Sequence, residues 1–141
     1  MDAAVDGVVQ NVRRLQPLRV LLAGRDRRFI RVTSFLLAQR GYDVAQTELR
    51  DTVAAAGRHR SDVVLLETDG SVASAARELA ALQALPAAPG VLLVFQSGER
   101  ERWVGIPGVE KWASVDALVG EIEAASRTRE PPSTEPESVR L

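Results

Sequence analysis

Asp62-Val63-Val64-Leu65-Leu66-Glu67 is the stretch from which the rest of the chain is best read. Four branched apolar residues stand between two acids, and so short a run fits no helical period, so it reads as a strand buried on both faces. Such a strand belongs in the middle of a parallel sheet. Open α/β sheets keep their ligands and chemistry at the carboxyl ends of their strands, which makes Glu67 the first candidate functional residue. Thr68-Asp69-Gly70-Ser71 then turns the chain away.

Working outward, the flanks alternate strand and helix. Leu18 to Ala23 is a short apolar run broken by Gly24, and Asp26 can cap a helix carrying Phe29, Ile30, Val32, Phe35, Leu36 and Leu37 until Gly41 stops it. Tyr42 to Thr47 reads as a second strand, and Glu48 to Ala56 as a weak helix closed by Gly57. After the central strand, Ser71 can cap a helix striped with Val72, Ala75, Ala76, Leu79 and Leu82, which Pro86 and Pro89 end. Gly90 to Phe95 is a fourth strand, Val109 to Ala113 a fifth, and Ser114 or Asp116 opens a last helix with Leu118, Val119, Ile122 and Ala125. The linkers are short, so right-handed crossovers and a doubly wound parallel α/β sheet follow.

The expected organisation is an N-terminal arm or short helix over 1–17, one α/β domain over 18–126, and a disordered acidic tail rich in Pro and Ser over 127–141. The chain has 141 residues, is 45% apolar, and has a net charge of −1 that hides a division: eleven arginines fall within residues 13–60, while residues 61–141 are net acidic. The arginines have few aromatics among them to stack on bases, so solvated helix faces are expected rather than a nucleic-acid surface. There is no cysteine and a single histidine, His59, which removes thiolate and multi-histidine metal sites and leaves Ser71 and Ser97 without a neighbouring base. No apolar run approaches the roughly 18 residues of a membrane span. The N-terminus lacks the basic start of a signal peptide, so the expected location is the cytoplasm.

Three stretches resemble a response-regulator receiver (CheY-like) domain. Leu18 to Ala23 with Phe29 to Val44 is similar to that family's first strand, first helix and second strand, Asp62 to Glu67 to the strand ending in its phosphate-accepting aspartate, and Gly108-Val109-Glu110-Lys111-Trp112 to the entry of its fifth strand. The resemblance implies a flavodoxin-like five-stranded sheet of order 2-1-3-4-5 and a role in two-component signal transduction. It also implies which positions would carry chemistry, and several have changed. The acidic pair that holds Mg²⁺ falls on Gly24 and Arg25, with Asp26 the only acid nearby; the acceptor falls on Glu67; the switch hydroxyl falls on Ser97, or on Gln96 if the register slips by one; and the switch aromatic falls on Trp112. The family's lysine has no expected counterpart, because Val115 sits at that spacing. A degenerate, metal-free pseudo-receiver is therefore expected, with no catalytic residue, metal or cofactor.

Two arrangements are expected for Glu67: either the Arg25 guanidinium pairs with it in place of the metal, or both side chains point into solvent. The expected function is phosphorylation-independent binding of a signalling protein or a second copy of the chain, through the side formed by residues 97–107, the fifth strand and the last helix. Two alternatives stand beside it: a small-ligand or nucleotide-binding Rossmann-like domain using the Gly24 turn, which has one glycine where that fingerprint needs three, and a weakly phosphorylated receiver. Trp103 and Trp112 are the tryptophans, and Trp112 is expected to pack at the fifth strand.

Overall fold

The computed structural model describes residues 16–68, 72–96, 98 and 105–129. Its elements follow in the order β1 (Arg19–Ala23), α1 (Arg27–Gln39), β2 (Asp43–Thr47), a 3-10 turn (Leu49–Asp51), α2 (Thr52–His59), β3 (Val63–Glu67), α3 (Val72–Gln83), β4 (Gly90–Phe95), β5 (Gly108–Glu110) and α4 (Val115–Arg129). The five strands form one sheet of order β2-β1-β3-β4-β5, and every pairing is parallel. This is the doubly wound arrangement that the alternating pattern implies.

β3 is buried along its whole length, and its alternation divides the core. Val63 and Leu65 join Val20, Leu22, Leu92 and Val94 on the face covered by α1 and α4, where Phe29, Leu37 and Ile122 meet them. Val64 and Leu66 face the other way, toward Ala55 and Ala56 of α2 and Ala75, Leu79 and Leu82 of α3. Full burial of one such leucine stabilises the fold by about 1.5–3 kcal/mol. Because Glu67 follows Val63 and Leu65 at the same period, its side chain belongs to the α1 and α4 face.

Local signals explain most element ends. Asp26 caps α1 by accepting the Phe29 N–H at 3.1 Å, and Gly41 past the helix end takes φ 94°, a left-handed conformation that glycine adopts without strain. Ser114 caps α4 through a 3.1 Å bond from the Ala117 N–H. Three boundaries differ from expectation. α2 runs through Gly57 to His59, and its C-cap Arg60 takes the left-handed φ of 55° itself. β5 is three residues long and stops at Glu110. α4 continues to Arg129, past the expected domain boundary at 126. The readings of residues 1–15, Ser71, Trp103 and the tail from residue 130 lie outside the described residues.

Candidate functional site

The site lies at the carboxyl edge of the sheet, where β1, β3 and β5 end. β1 ends at Ala23, and the backbone bends through Gly24 so that the N–H groups of Arg25 and Asp26 both aim at β3. Glu67 Oε1 accepts both, at 3.0 and 3.1 Å. Gly24 makes this approach possible: a Cβ there would run into Glu67 Oε1 and lie 2.7 Å from Glu67 Cβ. A side chain at position 24 and the present position of Glu67 exclude each other.

The other carboxylate oxygen belongs to Lys111. β5 stops at Glu110, the Lys111 N–H bonds Phe95 O at 2.7 Å, and Trp112 takes φ 67°, so the chain turns sharply just past the strand. Lys111 Nζ lies 2.9 Å from Glu67 Oε2 and 2.6 Å from Asp26 Oδ2. It also stands 5.5 Å from the centroid of the Phe29 ring, on which Trp112 rests edge to face at 5.2 Å. Glu67 is 1% exposed, the Lys111 side chain 11% and the Asp26 side chain 31%. A buried carboxylate is tolerated only when paired and hydrogen-bonded, and this one has three donors.

The charges reinforce one another. Lys111, followed by the Phe29 N–H, holds the Asp26 carboxyl below the usual carboxylate range. Burial works against the charge of Lys111, but the bonds to Asp26 and Glu67 and their negative charges outweigh it and push its pKa above the usual value. The ammonium thus sits between two carboxylates as a small cation would. A Mg²⁺ ion needs several free oxygen ligands in near-octahedral array. Position 24 offers none, position 25 supplies an arginine in place of a carboxylate, and the carboxylates of Asp26 and Glu67 are engaged by an ammonium, so these residues do not fit the metal. Among the described residues no group of three or more His, Asp or Glu could hold one either.

Several expectations for the site are corrected. The Arg25 guanidinium is not the partner of Glu67; only the Arg25 backbone N–H touches it, and the side chain lines a separate cleft. Glu67 does not point into solvent either. Lys111, and not Val115, provides the lysine beside the acceptor position. It was obscured because a fifth strand read as Val109 to Ala113 places Lys111 inside the strand, whereas β5 ends one residue before it. Composition carried a signal: Lys111 is the one lysine among the chain's 18 Lys and Arg residues. Its ammonium is a compact point charge with three donors, enough to serve both carboxylates. Trp112 is not packed at a strand but is 56% exposed in the turn after β5. Ser97 lies outside the described residues. His59 stands at the opposite edge of the sheet, with Nε2 3.3 Å from Asp43 Oδ1.

Solved structures share this architecture. A sensor protein from Polaromonas sp. JS666 superposes with a TM-score of 0.70 at 12% identity, over 80% of this chain and 98% of its own. The signal receiver domain of a putative Luxo repressor protein from Vibrio parahaemolyticus gives 0.67 at 15% identity, over 88% and 99%. Chemotaxis protein CheY4 from Vibrio cholerae gives 0.64 at 20% identity, over 77% and 98%. The chain therefore has the response-regulator receiver fold. Compared by sequence, it matches no protein-family model and no curated protein.

Proposed function

We propose that this chain is an atypical receiver-like domain that works in signal transduction by binding another protein, without enzymatic activity and without aspartyl phosphorylation. The observation that carries the reading is the closure of the acceptor position. Glu67 is 1% exposed and holds two backbone N–H groups and the Lys111 ammonium. Phosphoryl transfer needs an accessible, in-line nucleophile and a cation free to neutralise the transferred group. Here the nucleophile is sealed and the cation is spent on it.

An apolar surface adjoins the closed site and supports a binding role. Val32 and Leu36 of α1 line one groove with Trp112, and Phe35, 61% exposed, stands beside them on the same helix. Exposed apolar patches of this kind mark interaction surfaces more often than chance. This surface lies on α1 and the turn after β5, and so is offset from the side expected from the sequence, part of which lies outside the described residues.

Incubation with acetyl phosphate and Mg²⁺, read by intact mass, tests the proposal. No mass gain equal to a phosphoryl group is expected for the native chain. A stoichiometric gain that disappears in Glu67→Gln would end the phosphorylation-independent reading.

A further inference from the structure

Beside the closed site, on the other flank of Gly24, lies a second concavity of about 390 Å³, within the range of small-ligand sites. Three chain segments build it. Arg25 comes from the turn after β1 and Arg27 from the start of α1 that follows it, Arg50 from the 3-10 turn after β2, and Arg77 from α3. It sits at the carboxyl edge of the sheet beside β1 and β3, whose following helices α1 and α3 pack on opposite faces, which is where doubly wound sheets hold ligands.

Among the described residues the charge that lines this cleft is not self-compensated. Arg50 is paired with Glu48 at 3.2 Å. Among the described residues the guanidiniums of Arg25, Arg27 and Arg77 have no carboxylate within ion-pair distance, and Glu78 is the one lining acid left to oppose them. Guanidinium forks bind the oxygens of phosphate in a planar, bidentate way, and clustered forks favour ligands of clustered charge. The walls exclude other classes. Among the described residues Leu49 is the one apolar residue that lines it, so a peptide finds no side-chain pocket there, and no aromatic ring lines it on which a base could stack.

We propose that this arginine cleft binds an oligophosphate anion, recognised by its charge and oxygens alone. The site is independent of the interaction surface and of the closed Glu67 position. It does not rest on the N–H groups at the start of α1, since Glu67 already takes those of Arg25 and Asp26. Nor does it involve Arg31, which is exposed on α1 but does not line the cleft.

Isothermal titration of the full chain with inorganic triphosphate at low ionic strength, and separately with ATP, tests it. Saturable one-to-one binding is expected, with ATP bound no tighter than triphosphate. Arg25→Gln and Arg77→Gln should each weaken it by about tenfold, the loss of one charge-assisted contact, while Arg31→Gln should change it by less than about twofold. Circular dichroism melting verifies that each variant is folded. No saturable binding, or equal weakening by Arg31→Gln, would overturn the proposal as mere attraction to a basic surface. Binding of ATP alone would overturn the claim that phosphate charge is what the cleft reads.

Discussion

Asp62 and Glu67 close opposite ends of the same strand in different company. At the amino edge, Asp62 accepts the Arg19 N–H at 2.9 Å, and beside it Asp43 lies 3.7 Å from Arg19 Nε and 3.3 Å from His59 Nε2. Those side chains are half in water: Arg19 is 35% exposed and Asp43 47%. At the carboxyl edge, Glu67 is sealed beneath Lys111. The difference teaches that similar ion pairs differ in consequence through burial. A solvated pair contributes little when present and costs little when broken, whereas a buried charge that loses its partner keeps its desolvation cost uncompensated.

The largest expected effect comes from breaking the carboxyl-edge pair from the cation side. Lys111→Met should destabilise by about 3 kcal/mol, since it leaves the Glu67 charge buried with backbone donors alone. Urea melts should show this as a lower midpoint with an unchanged slope. Gly24→Ala comes next, at about 1–3 kcal/mol, because its Cβ must displace the Glu67 side chain it would overlap. At the amino edge Asp43→Asn should cost well under about 1 kcal/mol, and less still at high salt. Smallest is Arg25→Gln, within about 0.5 kcal/mol, because its guanidinium does not engage Glu67 and lines the open cleft.

pH sharpens the same contrast. The folded-state pKa of Asp26 is lowered, so its contribution is complete above its unfolded value of about 4 and disappears as pH falls through the depressed one. That of Lys111 is raised, so its contribution is complete below about pH 10 and is lost as pH rises past the folded value. The carboxyl-edge network should therefore contribute fully across the neutral range, weakening only at the two extremes. In Lys111→Met the lysine contribution should vanish and that of Asp26 shrink to what the Phe29 N–H sustains, and melting temperatures measured from pH 3 to 11 would reveal it as flatter alkaline and, to a smaller degree, acid limbs.

The fold was legible because its signals were redundant. The short branched run 63–66 between two acids fits a strand buried on both faces, and Asp26, Gly41 and Ser114 end or cap their helices as those residue types do. Glu67 was legible as a position, since strand ends at the carboxyl edge are readable from a parallel pattern. Its partner was not. Pairing across a parallel sheet depends on where β5 stops, and Gly108-Val109-Glu110-Lys111-Trp112-Ala113 contains no breaker to say so. β5 stops just before the turn in which Trp112 takes φ 67° and rests edge to face on Phe29, a tertiary contact that local sequence does not encode. Arg25 was the natural choice of cation by proximity in sequence, but the turn through Gly24 directs its N–H, not its guanidinium, at Glu67.

A double-mutant cycle on Lys111 and Glu67 tests the central claim most directly. Stabilities of the native chain, Lys111→Met, Glu67→Gln and the double variant give the coupling between the two side chains without reference to any ligand or partner. A coupling of about 1–3 kcal/mol is expected, with the double variant less damaged than the sum of the singles, while the parallel cycle on Arg25 and Glu67 should give about zero. Near-zero coupling for Lys111, or a larger value for Arg25, would contradict the account: the acceptor position would then be open, and a cation other than Lys111 would have to hold it.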